Sequence, residues 1–380
     1  MKKIILLLLT ILFLLISSSL LFAQNIIRIG VAGPFSGSAA VYGEMLKAGV
    51  QLKADEINAK GGINGKKIEL IFGDDMCDPK EAAAVGQKFA SDKSIVIVIG
   101  HFCSSSTLAA KPIYKMMKLP AISPCSTNIA VCIGSDYMFR NVYRDDYQGE
   151  FMAQYVKNIL NINKVAVFYD NDDYGIGLKD AFVNEAKKIG LNIQGIEAYT
   201  KDITDFTPQI TKFKSLNTKS LFIAGIYNEA GLIANQTIKK LNMNIPILGA
   251  DGMGSPGYIE VAGKKAAEGA LASCPYTFQP GKDAEADKFA KTFLKKYGKE
   301  ADWIAVNSYD ALGIALKAIE AVGADREKIK NYLKNINSKE NSYKGITGVT
   351  FFDKNGDCKK PAFVNVVRDG KWVAAEKQMQ

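Results

Sequence analysis

The feature of this sequence that most constrains its fold is a regular alternation of short apolar runs with amphipathic segments. The runs have the length of β-strands, and several are rich in Val and Ile, which is typical of buried strands. They cover residues 26–31, 68–72, 95–99, 165–169, 221–224 and 245–248. Segments with helical periodicity lie between them, at residues 41–59, 79–90, 147–160, 174–189 and 229–241. This order predicts an α/β fold in which parallel sheets are covered by helices on both faces.

The length of the chain predicts two domains. It has 380 residues, and domains have about 150 residues each. With 48% apolar and 23% charged residues, the composition excludes a disordered or fibrous chain. No Pro-rich or Ser-rich linker divides the sequence, so we expect the chain to cross between two lobes more than once. Near the end, strand-like runs at residues 348–352 and 361–367 flank an Asn-Gly turn at residues 353–357.

The first 23 residues have the pattern of a secretory signal peptide. Two lysines precede an apolar run over residues 4–16, and three serines and a short segment that ends at Ala23 follow it. We expect cleavage near Ala23, and therefore an exported protein in the periplasm or another extracytoplasmic compartment. The alternative is an uncleaved anchor, because a membrane crossing needs about 20 residues.

The charge distribution argues against a nucleic-acid partner. The net charge is +9, from 48 Lys and Arg against 39 Asp and Glu. The basic residues are dispersed among acidic ones and form no stripe with interleaved aromatic residues, which favours solvated helix faces.

Cysteine and histidine usage limits the possible metal chemistry. The chain has one histidine, His101, and its cysteines lack CxxC or CxH spacing, so we expect no metal site and no cofactor. An even set of cysteines in an exported chain indicates disulfides, although six cysteines allow fifteen pairings. The six are Cys77, Cys103, Cys125, Cys132, Cys274 and Cys358.

Two hydroxyl-rich loops follow neighbouring predicted strands. Residues 100–107 end in Ser-Ser-Ser-Thr directly before an Ala-rich helical segment, and residues 124–128 repeat the arrangement. Hydroxyls and the free amide hydrogens of a helix N-terminus together bind carboxylate or phosphate groups. The alternative is a single serine that caps its own helix. Four consecutive hydroxyls favour an anion site, and ligands lie beyond the carboxyl ends of strands in such sheets.

Aromatic and acidic residues lie at other predicted strand ends and helix starts. Tyr42, Tyr174 and Tyr227 could wall an apolar pocket, with simple packing as the alternative for each one alone. Asp251, after the run at residues 245–248, could neutralise a cationic group of a ligand.

The motifs of common enzyme classes are incomplete in this chain. Residues 61–67 resemble a phosphate-binding loop, but one residue is missing and no Ser or Thr is present to bind magnesium. A Ser-His-Asp triad would have to use His101, and the sequence has no GxSxG motif. We therefore predict that the protein is not an enzyme, and a secreted hydrolase is a distant alternative.

Three blocks of the sequence carry a family resemblance. They read ADEINAKGGING at residues 54–65, DDMCDP at residues 74–79 and GHFCSSST at residues 100–107. In this order they resemble the Leu/Ile/Val-binding proteins of ABC importers, which are type I periplasmic binding proteins. The resemblance implies two Rossmann-like lobes with doubly wound, mainly parallel sheets, joined by a three-segment hinge. Lobe one would comprise residues 24–143 and 277–352, and lobe two residues 144–276 and 353–380.

The resemblance also implies a set of ligand-binding positions. Ser104 would hold the ligand carboxylate, Thr127 would touch both carboxylate and ammonium, and Asp251 would pair with the ammonium. The remaining positions would complete the carboxylate cradle and line the side-chain pocket: Cys125, Ser126, Tyr42, Phe102, Tyr174, Ile226 and Tyr227. Cys125 would offer its backbone carbonyl to the ammonium. Either Ile226 or Tyr227 stands where the family has a tyrosine, so both remain candidates.

The resemblance implies one disulfide, between Cys77 and Cys103. For the other four cysteines we hypothesise a short Cys125–Cys132 link, which would leave Cys274 to pair with Cys358.

Together these observations predict a monomeric solute-binding protein that captures an α-amino acid, with leucine, isoleucine or valine favoured. Its partners would be that ligand and the membrane subunits of an ABC permease. The alternative is a binding protein or sensor for another small ligand, such as an amide, urea or an aromatic acid.

Overall fold

The computed structural model describes residues 26–201 and 203–379, and the predicted signal peptide at residues 1–23 lies outside them. The described residues form two large sheets flanked by helices and one small two-stranded sheet. The predicted α/β class with mainly parallel sheets is confirmed. Within the described part of the chain, no helix combines the length and the apolar character that a membrane crossing requires.

The first sheet has five parallel strands in the order β2-β1-β3-β4-β5. These strands are β1 (Ile26–Gly33), β2 (Lys67–Asp74), β3 (Ile95–Ile99), β4 (Ala121–Ser123) and β5 (Met138–Arg140). Three helices connect them: α1 (Ala40–Ala59), α2 (Pro79–Ser91) and α3 (Ser104–Met116). Strand β3 reads IVIVI and is buried throughout, because helices cover both faces of a central parallel strand.

The second sheet begins with five strands in the parallel order β10-β9-β8-β6-β7. They are β6 (Lys164–Asp170), β7 (Asn192–Tyr199), β8 (Ser220–Ala224), β9 (Ile247–Gly249) and β10 (Leu271–Cys274). The associated helices are α4 (Asp145–Gln154), α5 (Asp173–Lys188), α6 (Thr207–Ser215), α7 (Tyr227–Asn235), α8 (Pro256–Ala262) and α9 (Lys264–Ala267). Helices α4 and α7 each continue into a π-helical turn, at Tyr155–Ile159 and Gln236–Lys240.

After β10 the chain returns to the first sheet and then leaves it again. It forms α10 (Ala284–Tyr297), α11 (Trp303–Val322), α12 (Arg326–Asn335) and the small sheet of β11 (Tyr343–Gly345) and β12 (Gly348–Thr350). Helix α11 packs against α1. The chain then completes the second sheet with β13 (Phe363–Arg368) and β14 (Lys371–Ala374), which are antiparallel to their neighbours. The chain thus passes between the two large sheets three times, after β5, after β10 and after β12.

One sequence-based expectation needs correction and another is met. Strand β9 starts at Ile247 rather than at residue 245, because Pro246 has no amide hydrogen to donate to a ladder. The turn at residues 353–357 is present, since Asp353 N donates to the Asp357 carbonyl over 2.7 Å. The segments on either side of it meet in one bridge between Phe352 and Cys358, and their strands belong to different sheets, since β12 pairs with β11 and β13 pairs with β10.

The cysteines are only partly paired. Cys77 and Cys103 form a disulfide with their Cα atoms 5.5 Å apart, as predicted. The other four are free and buried: Cys125, Cys132, Cys274 and Cys358. The expected Cys125–Cys132 and Cys274–Cys358 disulfides are therefore wrong.

Three of the four free thiols make hydrogen bonds to other groups. Cys132 Sγ donates to the carbonyl of Gly356, and Cys358 Sγ donates to the carbonyl of Val142, both over 3.5 Å. Cys274 Sγ accepts a hydrogen bond from Asn365 on the adjacent strand β13. The sequence suggested that these four cysteines pair with one another, but the fold turns three of the thiols towards other partners.

A buried ion-pair network joins two of the three crossing segments. Asp357, on the third crossing, accepts hydrogen bonds from Nε of Arg140, the last residue of β5, over 2.6 Å and from Arg144, on the first crossing, over 3.3 Å. Arg140 also donates to the carbonyls of Ser126 and Asn128. The crossings are therefore tied to each other and to the loop after β4.

Candidate functional site

The carboxyl ends of β3 and β4 carry the two hydroxyl-rich loops, and the structure joins them. The amide of Asn128 donates to Ser104 Oγ over 3.2 Å. Thr107 Oγ1 and Ser126 Oγ lie 2.5 Å apart. Adjacent parallel strands β3 and β4 bring both loops to the same edge of the sheet. The expected two-loop cradle is therefore a single hydrogen-bonded unit.

The N-terminus of α3 provides amide donors to this unit. Cys103 is the N-cap residue, and it makes no side-chain hydrogen bond to the helix amides. The first amides of a helix have no partner within the helix, and here they lie in the buried Ser-Ser-Ser turn. This end of α3 therefore combines free N–H groups with the Ser104 hydroxyl, which suits a carboxylate.

His101 holds the cradle in place through hydrogen bonds. Its ring nitrogens contact Asp75 Oδ2 over 2.6 Å and the Tyr114 hydroxyl over 2.8 Å, and all three side chains are buried. Its carbonyl accepts hydrogen bonds from the hydroxyls of Ser123 and Ser126. With both ring nitrogens used in this way, the ring has no serine partner, and the geometry gives no support to a catalytic triad.

Ser126 has a supporting role as well. Its hydroxyl contacts Thr107 and the carbonyls of His101 and Phe102, the latter over 2.9 Å. These contacts hold the two loops together and use the hydrogen-bonding capacity of the hydroxyl. We propose that Ser126 positions the cradle without binding the ligand directly.

Thr127 lies deep in the site with a free hydroxyl. The residue is 1% exposed, and no described residue provides a hydrogen-bond partner for Oγ1. Its carbonyl accepts the amide of Asp145 over 2.8 Å, which anchors the start of α4 to the cradle. Buried hydroxyls usually have a partner, so we propose that this side chain binds a group of the ligand.

Asp251 lies opposite, in a short 3₁₀ turn (Asp251–Met253) after β9. Its Oδ1 accepts hydrogen bonds from the Tyr174 hydroxyl over 2.7 Å, from Gln148 Nε2 over 3.0 Å and from the amide of Gly252 over 3.0 Å. These donors fix the carboxylate in one orientation. Burial nevertheless raises the pKa of Asp251 to about 6, and these hydrogen bonds only partly offset it.

Two residues of α4 belong to this cluster and were missed by the sequence analysis. Asp145 and Gln148 are fully buried, and Gln148 Nε2 donates to both Asp145 Oδ1 and Asp251 Oδ1. Their spacing in the sequence could have indicated that they act together, because residues three apart on a helix share a face. Acidic residues are common in the first turn of a helix, so the sequence analysis did not identify Asp145 as a site residue.

Aromatic rings connect the cradle with the turn that carries Asp251. Tyr42 stacks on Phe102 with ring centroids 4.5 Å apart and meets Tyr227 edge-on at 4.8 Å. Trp303, the first residue of α11, lies 6.3 Å from Phe102 and donates its indole N–H to the carbonyl of Gly254. The sequence analysis did not include Trp303, which reaches the site only through the return of the chain after β10.

The second sheet contributes the remaining predicted positions. Ile226 is the N-cap of α7, and Tyr227 is the first residue of that helix. Both are buried. The Tyr227 hydroxyl donates to the carbonyl of Ser38 over 2.5 Å, so it faces the first sheet rather than a ligand. Ile226 therefore remains the better candidate for an apolar contact, and Cys125, also buried, lies in the cradle loop.

Hydrogen bonds across the cleft show that the structure is closed. The Tyr42 hydroxyl donates to the carbonyl of Gly252 and accepts the amide of Tyr227. Ser105 Oγ accepts the amide of Asp173 over 3.2 Å, and Asn128 Nδ2 donates to the Asp173 carbonyl over 2.6 Å. Elements of the two large sheets therefore meet directly around the candidate site.

The chemistry of the site is that of a binding site for a small zwitterion. Neutral hydroxyl and amide donors lie on one side, buried carboxylates on the other, and aromatic and aliphatic side chains around them. In the part of the chain that the structure describes, no group of three or more His, Cys, Asp or Glu residues is arranged to hold a metal ion.

Comparison with known proteins gives consistent matches over nearly the whole chain. The family model named "Periplasmic binding protein" matches residues 26–371. An amino acid binding protein of Pseudomonas aeruginosa is 34% identical over 349 residues, which are 90% of this chain and 90% of that protein. A leucine-, isoleucine-, valine-, threonine-, and alanine-binding protein of the same species is 31% identical over 339 residues, covering 89% and 88% of the two chains.

A solved structure gives a matching result. The branched-chain amino acid transporter substrate binding protein LivJ from Streptococcus pneumoniae, in complex with isoleucine, superposes with a TM-score of 0.87 and 31% identity. The match covers 93% of this chain and 100% of that one.

Proposed function

Because the chain belongs to the periplasmic binding protein family, we propose that it is an extracytoplasmic solute-binding protein for an α-amino acid with a branched apolar side chain. The family consists of substrate-binding proteins rather than enzymes, and we propose the same for this chain. The proposed ligand follows from the relatives named for leucine, isoleucine and valine and from the isoleucine complex.

The observation that carries this proposal is the opposition of two kinds of group in one closed cleft. Ser104, Thr127 and the N-terminus of α3 offer neutral donors for a carboxylate. Asp251, held by Tyr174 and Gln148, offers a buried negative charge for an ammonium. An α-amino acid carries both groups on one carbon atom, and aromatic walls suit an apolar side chain.

The two-lobe organisation explains how the ligand would be captured. We propose lobe one at residues 24–143 and 277–352 and lobe two at residues 144–276 and 353–380, which agrees with the division of strands between the two large sheets. Hinge closure would then take place at the three crossings. A ligand that contacts both lobes favours the closed state by its differential contacts, and the exclusion of water strengthens each charged contact.

The delivery step and the location complete the proposal. We propose export through the signal peptide at residues 1–23, a monomeric state and transfer of the ligand to the membrane subunits of an ABC permease. Transfer needs an opening of the cleft, which would break the cross-lobe hydrogen bonds of Tyr42 and Asn128.

Calorimetric titration of the purified protein with leucine, isoleucine and valine tests the proposed ligand class. Two analogues act as matched controls, 4-methylpentanoate, which lacks the ammonium, and isoamylamine, which lacks the carboxylate. We expect the amino acids to bind and each analogue to bind about hundredfold more weakly, because each loses charge-assisted hydrogen bonds. Equal binding of 4-methylpentanoate or of benzoate would contradict the proposal and favour an organic-acid receptor.

A further inference from the structure

We propose that Lys201 is a latch residue that holds the cleft closed at the side remote from the three crossings, and that Asp170 competes for its amine when the cleft opens. The inference rests on the proposed function, because it concerns how a captured ligand is retained and released. It adds two residues that lie outside the candidate ligand site.

The first argument is a direct contact between the two large sheets. Lys201 follows the end of β7, and its Nζ donates a hydrogen bond to the carbonyl of Cys77 over 2.7 Å. Cys77 lies in the loop after β2. A donor with a positive charge makes a stronger hydrogen bond than a neutral donor, so this contact stabilises the closed cleft.

The second argument is the place of this contact in the two sheets. The first crossing begins after β5, and β2 is the opposite edge strand of the first sheet. In the second sheet the crossings join β10 and its neighbour β13, whereas β7 is the opposite edge strand. Neighbouring strands lie about 4.8 Å apart, so roughly 19 Å separates β2 from β5 and β7 from β10. Residues at such remote edges move furthest apart when a hinge opens.

The acceptor of the hydrogen bond is held firmly on the first sheet. Cys77 is joined to Cys103 by the disulfide, and its amide donates to Asp75 Oδ1 over 3.0 Å. Cys103 is also the N-cap residue of α3, the helix that begins with Ser104. Lys201 therefore connects the second sheet to the same unit that would bind the ligand carboxylate.

The third argument is a second acceptor close to Lys201. Asp170, the last residue of β6, is 2% exposed, and no described residue makes a hydrogen bond to its Oδ2. Buried polar atoms usually have a partner. Burial raises the pKa of Asp170 to about 7, and the positive charge of Lys201 offsets part of this shift. The amine thus lies near this carboxyl group but bonds to Cys77 in the closed cleft.

Opening of the cleft would exchange one acceptor for the other. The Lys201 amine would leave the Cys77 carbonyl and donate to Asp170 Oδ2 on its own sheet. A buried polar atom without a partner costs free energy, so Asp170 favours the open state and the Cys77 carbonyl favours the closed state. The latch therefore retains a ligand and still allows its release. No covalent bond forms or breaks.

Stopped-flow measurement of leucine binding tests this proposal, because the two residues should act with opposite signs. Lys201→Met removes the amine and keeps an apolar stem, and should raise the dissociation rate about fivefold with little change in the association rate. Lys201→Arg keeps the charge and should restore most of the wild-type rate. Asp170→Asn weakens the competing acceptor and should lower the dissociation rate about twofold.

Lys212→Met is the matched control, because Lys212 on α6 is exposed and pairs with Glu197 on the same edge strand β7. An unchanged dissociation rate in Lys201→Met, or faster dissociation in Asp170→Asn, would overturn the latch and leave the proposed function standing. A purely structural role would accelerate dissociation in both variants. Circular dichroism checks folding, and Asp170→Ser replaces Asp170→Asn if the latter does not fold.

Small-angle X-ray scattering of the ligand-free protein separates the latch from the identity of the ligand. We expect Asp170→Asn to be more compact than Lys201→Met, and equal radii of gyration for these two variants would contradict the latch. If the wild type binds none of leucine, isoleucine and valine, the proposed function fails, and scattering alone then tests the latch.

Discussion

The two sides of the candidate site differ in charge, because one is neutral and the other is acidic. On the side of the first sheet, the cradle after β3 and β4 consists of hydroxyls and amides that carry no net charge. On the other side, Asp145 and Asp251 place two carboxyl groups in the protein interior. The neutral side is held by its own hydrogen bonds through Ser126 and His101, whereas the acidic side is held by hydrogen bonds from Gln148 and Tyr174.

This difference indicates how selectivity and release can be combined in one cleft. A preorganised neutral cradle binds a carboxylate without a strong charge of its own and so can also release it. A buried carboxylate has a high desolvation penalty, and only a ligand with a cationic group offsets that penalty. We therefore expect substitutions on the neutral side, which would face the ligand carboxylate, to change affinity modestly. Substitutions on the acidic side, which would face the ligand ammonium, should change it strongly.

The largest effect is expected from Asp251→Asn. This substitution removes the fixed negative charge and leaves the size of the side chain nearly unchanged. Affinity for leucine should fall by about 2 kcal/mol or more, which is about thirtyfold, because a hydrogen bond to a charged group is lost. Calorimetric titration measures this, with Asp180→Asn on the exposed face of α5 as the control. An unchanged dissociation constant would place the ammonium elsewhere.

An intermediate effect is expected from Tyr42→Phe, because Tyr42 connects the two sides of the site. The Tyr42 hydroxyl contacts the Gly252 carbonyl and the Tyr227 amide across the cleft, and its loss leaves buried groups unpaired. The closed state should lose about 1 to 2 kcal/mol, with about five- to thirtyfold weaker affinity. Stopped-flow fluorescence should show the change mainly in the dissociation rate.

The control for Tyr42→Phe is Tyr169→Phe, because the Tyr169 ring is only partly buried and lies beneath Lys179 outside the cleft. A Tyr42→Phe variant that binds leucine with the wild-type dissociation rate would show that this bridge does not hold the cleft closed.

The smallest effect is expected from Ser104→Ala on the neutral side. One hydroxyl among several donors is lost, which costs about 1 kcal/mol, or about fivefold in affinity. Ser91→Ala is the control, because Ser91 is exposed at the end of α2. If Ser104→Ala weakened binding more than Asp251→Asn does, the proposed difference between the two sides would be reversed.

The neutral side could be predicted from the sequence because its information is local. Four hydroxyls in consecutive positions before a helix predict an anion site, and the neighbouring strands β3 and β4 place the second loop beside the first. Tyr42 and Asp251 were also found from their positions at a helix start and a strand end. Periodicity predicted β1, β2, β3, β6, β8 and β9, although β9 starts two residues later than expected, whereas β5, β7 and β10 were not among the predicted runs.

The acidic side could not be completed from the sequence because its members meet only in the folded chain. Asp145 and Gln148 lie at the start of a helix whose pattern is typical of a solvated turn, and their burial depends on Asp251, about one hundred residues later. Trp303 reaches the cleft only after the second crossing. The free cysteines show the same limit, since their spacing in the sequence does not reveal which way the fold turns each thiol.

A crystal structure of the protein with leucine tests the central claim most directly. We predict the leucine carboxylate within hydrogen-bonding distance, about 3 Å, of Ser104 and the N-terminus of α3. Its ammonium should lie among Thr127, Asp145 and Asp251, and its side chain among Tyr42, Phe102 and Ile226. Leucine bound with its carboxylate towards Asp251, or at a site away from the cleft, would contradict the assignment.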